Sequence, residues 1–253
     1  MSKQNIYDND EFFEGYKKIR NNPNSYNNAV EKPALFSLLP DLSSKSVLDL
    51  GCGYGENCME FIRLGAEHVV GVDLSEKMLK VAKTENKEKG IDYICMGMEN
   101  ISVLNEKFDL IVSSLAIHYI EDFDKLVEDV HSLLNEGGYF IFSQEHPLTS
   151  AHKTGDYWTK DEDGKCLHYN FSHYGEQGIR EHDWIVKGVI KYHRTFSTIF
   201  NTLISKGFKL ETVLEPLPDL SLLEEFPNLE KSYHKPDFLL IKARKEFNYN
   251  IGR

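Results

Sequence analysis

No apolar run in the 253-residue sequence approaches the about 18 residues that a membrane-spanning helix needs. The first ten residues are polar and acidic and carry no signal-peptide pattern, so we expect a cytoplasmic protein with no membrane partner. The four cysteines form no Cys-x-x-Cys pair and show neither zinc-ribbon nor disulfide-framework spacing. The histidines lack ligand-like spacing with carboxylates, so no metal site is predicted.

Positive charge is also scarce, because 29 Lys and Arg against 40 Asp and Glu give a formal net charge of −11. Proteins that bind nucleic acid or anionic membranes present clustered Lys and Arg. The net charge therefore argues against a nucleic-acid partner and favours a small-molecule substrate. Its length is sufficient for one α/β domain with a large core.

Short apolar segments alternate with amphipathic segments along most of the chain. The amphipathic segments predict helices at residues 56–64, 76–89, 123–134 and 195–206, and Gly137–Gly138 is expected to close the third of them. The apolar segments predict strands at residues 46–50, 68–73, 91–96, 108–115, 139–144, 208–215 and 237–243. This alternation predicts an α/β fold with a doubly wound, mostly parallel seven-stranded sheet, whose ligands lie outside the carboxyl ends of the strands.

A glycine-rich turn follows the first predicted strand, in the segment "VLDLGCGYGEN" at residues 47–57. Dinucleotides and S-adenosylmethionine both use such a turn, but the dinucleotide fingerprint needs a third glycine where this chain has Glu56. The Glu56 carboxylate in the first helical turn would repel a diphosphate. A ligand with a sulfonium and an ammonium group is favoured instead, because Asp49 can face positive charge and Asp73 can accept both ribose hydroxyls.

Four segments in the same order carry a family resemblance: "VLDLGCGYGE", "VVGVDLSEKML", "FDLIVSSLAIHYIED" and "LLNEGGYFIFSQEHP". On these segments the sequence resembles class I S-adenosylmethionine-dependent methyltransferases, and among them the broad group of type 11 methyltransferase domains. The resemblance is close over residues 45–147. It implies a Rossmann-like methyltransferase fold with S-adenosyl-L-methionine as cofactor.

The resemblance also assigns roles to individual residues around the cofactor. Gly97 stands where family members commonly carry an aspartate, so the contact to the adenine amino group falls to Glu99 or to backbone. In the N-terminal leader, Arg20 is suited to the cofactor carboxylate and Tyr16 to covering the cofactor. The remaining implied contacts are Asp49, Gly51, Cys52, Gly53 and Gly55 at the methionine end, Asp73 at the ribose, Leu74, Met78, Met98 and Glu99 at the adenine, and Ser114 and Leu115 at the sulfonium.

Candidate catalytic groups follow the fourth predicted strand, the fifth predicted strand and residues 147–192, a segment that breaks the alternation of strands and helices. They are His118, Glu145, His146 and His193, and a base is needed only when the methyl acceptor carries a proton that it cannot shed. Each also has a structural interpretation: His118 could hydrogen-bond a loop carbonyl, "EHP" could be a turn, and His193 could pack in a core. We treat them as hypotheses about the acceptor side.

The resulting prediction is a single methyltransferase domain over residues 1–253. It comprises a helical leader at 1–44 over the cofactor, a cofactor-binding core at 45–146, an inserted substrate lid at 147–192, and a C-terminal helix and strands at 193–245. The predicted reaction is methyl transfer to an O or N atom of a small molecule. Alternatives are methylation of protein or RNA, a non-catalytic S-adenosylmethionine-binding sensor or accessory subunit, and an NAD-dependent oxidoreductase.

Overall fold

The computed structural model describes residues 5–20, 22 and 25–247. The predicted leader is therefore described except at residues 1–4, 21, 23 and 24, and residues 248–253 also lie outside the described ranges. The α-helices are α1 (Asp10–Arg20), α2 (Lys32–Ser37), α3 (Glu56–Arg63), α4 (Glu76–Glu85), α5 (Phe123–Leu133), α6 (Pro147–Ala151), α7 (Phe196–Ser205) and α8 (Leu220–Glu225). A π-helical turn, Asn27–Glu31, runs directly into α2.

The strands are β1 (Ser46–Leu50), β2 (His68–Asp73), β3 (Ile91–Cys95), β4 (Phe108–Ser113), β5 (Leu134–Glu145), β6 (Trp158–Lys160), β7 (Cys166–Tyr169), β8 (Gly178–His182), β9 (Val189–His193), β10 (Phe208–Leu214) and β11 (Phe238–Lys245). Seven of them form one sheet in the order β10-β11-β5-β4-β1-β2-β3. Strand β11 is antiparallel to β5 and β10, and the other pairs are parallel. The predicted doubly wound, mostly parallel seven-stranded sheet is confirmed.

Both faces of the sheet are covered by helices, so neighbouring residues of a central strand enter different cores. Leu110 and Ile141 pack with α2 and α3 on one face, whereas Ile111 and Phe142 pack with α5 and α7 on the other. A strand buried on both faces needs apolar residues at every position. This explains why these strands are continuous apolar runs, and it directs ligands to the carboxyl edge of the sheet.

Helix α4 ends at Glu85, four residues before the predicted end. The Asn86 side-chain amide donates to the Tyr54 carbonyl oxygen at 2.8 Å, and the Asn86 carbonyl accepts from the Tyr93 hydroxyl at 2.8 Å. These contacts to distant parts of the chain replace the next helical turn.

Gly137 and Gly138 lie inside β5 and do not close α5, which ends at Leu133. Gly137 has a φ of +74°, and a Cβ on Gly138 would lie 2.9 Å from the Asn135 carbonyl oxygen. The glycines therefore serve the irregular start of β5, where the pairing with β4 shifts register. The prediction that they form a helix cap is wrong.

Residues between β5 and α7 stand apart from the main sheet. They form α6 and two antiparallel hairpins, β6–β7 and β8–β9. This segment corresponds to the predicted insertion at residues 147–192, and we call it the insert.

Candidate active site

The turn after β1 consists of glycines in the left-handed region. Gly51, Gly53 and Gly55 have φ values of +75°, +54° and +77°. A Cβ on Gly51 would lie 2.5 Å from the Cβ of Ala116, and one on Gly55 would lie 2.2 Å from the Tyr93 hydroxyl oxygen. A Cβ on Gly53 would meet no atom within 4 Å. The turn thus requires glycine, and it has an open side at Gly53.

Asp73 ends β2 opposite this turn. Its Oδ2 accepts from the Gly53 N–H and its Oδ1 from the Ser75 N–H, both at 2.8 Å. Each carboxylate oxygen retains a further lone pair. Burial raises the pKa of this carboxyl group above its ordinary value. Two adjacent acceptors of this kind fit the paired hydroxyls of a ribose.

A cavity of about 270 Å³ opens beside Asp73 at the carboxyl edge of the sheet. Residues from the leader, the strand ends and the insert line it together. Most of the predicted cofactor residues are among them, namely Tyr16, Gly51, Gly53, Asp73, Leu74, Met78, Met98, Glu99, Ser114 and Leu115. Gly97 also lines this cavity, so the position without an aspartate faces it through backbone.

Arg20 lies beside the turn but forms an ion pair with Glu56. Its guanidinium is thus engaged by a protein carboxylate, and Arg20 is not among the residues that line the cavity. The pairing also neutralises Glu56. The expectation that Glu56 alone repels a diphosphate therefore does not hold in this geometry.

Asp49 lies behind the turn and is 1% exposed. Its Oδ2 accepts from the Cys58 thiol at 3.4 Å, whereas Oδ1 has no hydrogen-bond partner. Burial raises the pKa of Asp49 to about 7. A buried carboxylate oxygen without a partner fits a positively charged group such as the cofactor ammonium.

Cys52 and Gly55 are the other predicted cofactor residues that do not line the cavity. Cys52 packs in the core between the sheet and α3, where burial raises its thiol pKa to about 11. Gly55 is the N-cap of α3 and lies against Tyr93. The two residues shape the turn, and their contact with cofactor stays a prediction.

Glu31, from the π-helical turn of the leader, lies 1% exposed beneath the ends of β4 and β5. Its carboxylate accepts from the hydroxyls of Ser114 at 2.9 Å and of Ser143. The Ser143 hydroxyl oxygen accepts from the Leu115 N–H at 2.9 Å, and Leu115 has a φ of +51°. Glu31 thus helps to hold a left-handed residue at the cavity wall. No local sequence signal marks it, because its partners are 83 and 112 residues away.

Two tyrosines that sequence reasoning missed also line the cavity. The ring of Tyr7 packs edge-on against Tyr16 at 5.2 Å between centroids, and its hydroxyl donates to the Tyr119 hydroxyl at 3.4 Å. Burial raises the pKa of both phenols, so they remain protonated near neutral pH.

His118 and Glu145, two of the predicted catalytic residues, lie together beneath Tyr119. The Glu145 N–H donates to His118 Nδ1 at 3.4 Å, and the Glu145 carboxylate accepts from the Lys191 ammonium at 2.5 Å. Burial lowers the His118 pKa to about 3, and Lys191 holds that of Glu145 at about 2 despite its burial. Neither side chain lines the cavity.

His146 and His193 have both ring nitrogens engaged away from the cavity. His146 Nδ1 accepts from the Leu148 N–H at 3.2 Å, and its Nε2 bonds Glu215 at 2.8 Å. His193 bonds the Ser150 hydroxyl and the Tyr174 carbonyl oxygen, both at 2.9 Å. The structure therefore does not place these two predicted catalytic residues at the cavity, because their rings hydrogen-bond other parts of the protein.

Two further features of the described ranges concern ligands other than nucleotides. No group of three or more His, Cys, Asp or Glu side chains is arranged there to hold a metal ion. No helix within them is both long and apolar enough to cross a bilayer.

Known proteins similar to this chain agree with this geometry. A family model described as "Methyltransferase domain" matches residues 48–142. An uncharacterized protein of Haemophilus influenzae is 42% identical over 252 residues, which cover 96% of this chain and 98% of that protein.

Two solved structures extend the similarity to the whole fold. A protein of Listeria monocytogenes assigned to the S-adenosylmethionine-dependent methyltransferases is 38% identical, with a TM-score of 0.79 over 85% of this chain and 96% of that one. An S-adenosylmethionine-dependent methyltransferase of Mesorhizobium loti is 40% identical, with a TM-score of 0.78 over 85% and 97% of the two chains. The glycine turn, the ribose-type carboxylate of Asp73 and the buried Asp49 oxygen without a partner all suit this cofactor, and the chain belongs to the S-adenosylmethionine-dependent methyltransferases.

Proposed function

We propose that this methyltransferase acts on an O or N atom of a small-molecule acceptor. The observation that carries the proposal is the composition of the cavity wall, which passes from cofactor-type residues such as Asp73 to Ile179, Ile190 and Tyr192 of the insert. A volume of about 270 Å³ lies just below the range of about 300–1,000 Å³ that is typical of small-molecule sites. Four free cysteines support a reducing, cytoplasmic location.

S-Adenosylmethionine, when bound, supplies a methyl group on a positively charged sulfur. The proposed task of the chain is to align the acceptor and to exclude water, because this displacement neutralises charge and is accelerated by alignment. The leader and the insert both contribute to enclosing the cavity. The Tyr7 hydroxyl donates to Tyr119, so the protonated Tyr119 hydroxyl remains able to donate a hydrogen bond that orients the acceptor.

We propose positioning roles, and no proton transfer, for His118 and Glu145. A His118 pKa of about 3 leaves its imidazole neutral at physiological pH and makes it a weak base. The His118 ring packs on the ring of Tyr119 with centroids 4.4 Å apart, so His118 helps to hold this cavity-lining tyrosine in place. Glu145 anchors Lys191 on the insert strand β9.

Calorimetry with S-adenosylhomocysteine and NAD in parallel tests the cofactor half of the proposal. We expect heat of binding with S-adenosylhomocysteine only, and no heat with that ligand would overturn the proposal. The acceptor half is tested by formation of S-adenosylhomocysteine from S-adenosylmethionine with three fractions of a cell extract: small metabolites, RNA and protein. Turnover confined to RNA or protein would establish the macromolecular alternative, and binding without turnover in any fraction would indicate a sensor.

A further inference from the structure

The charged side chains that line the cavity, among the described residues, are all acidic: Asp73, Glu99 and Glu121. Asp73 belongs to the ribose-type site. Glu121 lies on the acceptor side, where its carboxylate accepts from the hydroxyl of Tyr192 on the insert strand β9 at 3.5 Å. The carboxylates thus extend along the wall from the cofactor residues to the insert.

Lys191 is a basic residue next to the cavity-lining Tyr119, and its ammonium is committed to contacts within the protein. Its side chain is 8% exposed, and its ammonium donates to Glu145 at 2.5 Å. The rings of Trp184 and Tyr119 cover the ammonium with centroids at 5.2 and 6.0 Å. A ligand anion would have to displace the largely buried Glu145 carboxylate to reach this ammonium, which is costly.

Arg194, the next basic residue along the insert, is also committed to the protein. Its guanidinium donates to the main-chain oxygens of Ile120 and, at 3.3 Å, of Glu121, and it lies over the Phe123 ring at 5.1 Å. It therefore braces the backbone behind Glu121. At the cofactor end, Arg20 pairs with Glu56 as described above.

From these contacts we infer that the methyl acceptor carries no phosphate or carboxylate group and is a neutral or positively charged compound. The inference rests on the proposed small-molecule methyl transfer. Among the described residues, an acceptor anion would meet the Glu121 carboxylate with no uncommitted cation lining the cavity to balance it. The cofactor adds only a single net positive charge, to a site that also contains Asp49 and Asp73.

The aromatic wall supports the same class of acceptor. Tyr7, Tyr16, Tyr119 and Tyr192 line the cavity, and aromatic faces attract ammonium groups and apolar bodies through the negative potential of the ring. The ring faces would therefore contact an amine or a neutral aromatic compound more favourably than an anion.

The inference is tested with compounds that share a scaffold and differ in charge. We would use tyramine, 4-hydroxyphenylacetamide and 4-hydroxyphenylacetate, and the matching set tryptamine, indole-3-acetamide and indole-3-acetate. Ligand-observed NMR titration of the protein loaded with S-adenosylhomocysteine measures each affinity. We expect the anionic member of each set to bind at least about tenfold more weakly than its cationic or neutral partners, with a smaller difference at high salt.

Glu121→Lys places a cation at the acceptor side and should reduce or reverse the difference in affinity between the anionic compounds and their partners. Glu121→Gln keeps the shape of the residue and should reduce that difference. Glu67→Lys, in the exposed turn before β2, makes the same charge change at the opposite edge of the sheet and should leave the preference unchanged. Equal affinity for all members, or tighter binding of the anions to the parent protein, would overturn the inference. Failure of the proposed function would instead be seen as absent turnover with the metabolite fraction.

Discussion

Asp49 combines a buried carboxylate with an oxygen that accepts no hydrogen bond. Such a group destabilises the folded chain unless a ligand supplies the missing partner. Because burial raises its pKa to about 7, folding is most favourable while the group is protonated. The contribution of protonated Asp49 to the free energy of unfolding is fully present below the ordinary pKa of an aspartate. It is lost as the pH rises from about 4 to about 7.

We therefore expect Asp49→Asn to stabilise the ligand-free protein at pH 8, by about 1–3 kcal/mol, while it abolishes measurable binding of S-adenosylhomocysteine. The gain should shrink as the pH is lowered to 5. Urea unfolding at both pH values and calorimetry measure the two effects. Asp92→Asn, at an exposed position of β3, is the matched control and should change neither. A variant that is less stable than the parent at pH 8 would contradict this assignment of strain to Asp49.

In the glycine turn, one glycine is required for packing within the fold and another for access of the ligand. Alanine at Gly51 or Gly53 would adopt a left-handed conformation, which costs roughly 1–2 kcal/mol. At Gly51 the new methyl group also lies 2.5 Å from Ala116, whereas at Gly53 it enters open space at the cavity wall. The first change should mainly damage the fold, and the second should mainly obstruct the ligand.

Accordingly, Gly51→Ala should lower the free energy of unfolding by about 1–3 kcal/mol more than Gly53→Ala does. Gly53→Ala should remain folded and lose at least about tenfold in affinity for S-adenosylhomocysteine. Unfolding curves and calorimetry on both variants give the comparison. Normal ligand affinity in Gly53→Ala would show that the open side of the turn does not face the cofactor.

The Glu145–Lys191 pair joins the end of β5 to the insert strand β9. Removing only the cation leaves a largely buried carboxylate without its partner, so Lys191→Met should destabilise the fold by about 3 kcal/mol at pH 7. The deficit should shrink as the pH falls from about 4.5 towards 2, because the depressed Glu145 pKa contributes stability only above that window.

Urea unfolding of Lys191→Met, Glu145→Gln and the double variant measures this coupling. The double variant should recover much of the lost stability, since neither charge is then left alone. Lys153→Met breaks the exposed pair with Glu176 and serves as control, with a much smaller expected loss because solvent screens the pair. Equal losses in the two Lys→Met variants would refute a special role for the buried pair.

The elements that sequence patterns predicted best are those whose cause is local. Strand β1 depends on a short apolar run, and the turn after it depends on backbone angles that favour glycine. The bounds and the role of both could therefore be predicted from the local sequence. Helix α4 and the Gly137–Gly138 segment were misjudged, because contacts with Tyr54, Tyr93 and β4 override the local pattern.

At the site the same division holds. Asp73 was predictable from its position at a strand end, whereas the pairing of Arg20 with Glu56 and the burial of Glu31 depend on segments far apart in sequence. His146 and His193 were plausible by residue type, and only their partners reveal a core role.

For the whole molecule, the leader and the insert contribute walls to one cavity, so ligand binding should stabilise both. S-Adenosylhomocysteine at about 100 times its Kd should raise the Tm by about 5–10 °C. Hydrogen exchange should slow in α1 and in the β8–β9 hairpin. In Glu31→Ala the protection of α1 should be reduced, while Glu14→Ala, an exposed change within α1, should behave like the parent. Protection confined to the sheet would argue against closure by the leader.

The Glu145–Lys191 contact also has a consequence for diversification. Glu145 ends β5, where the chain leaves the main sheet, and Lys191 lies in β9, shortly before the chain continues into α7. One ion pair therefore connects the two ends of the 45 residues between them. A segment closed at its own base can be exchanged without disturbing the strands that hold the methyl donor. Exchanging these residues between relatives, with the Glu145–Lys191 ion pair retained, is therefore a route by which one cofactor-binding sheet acquires new methyl acceptors.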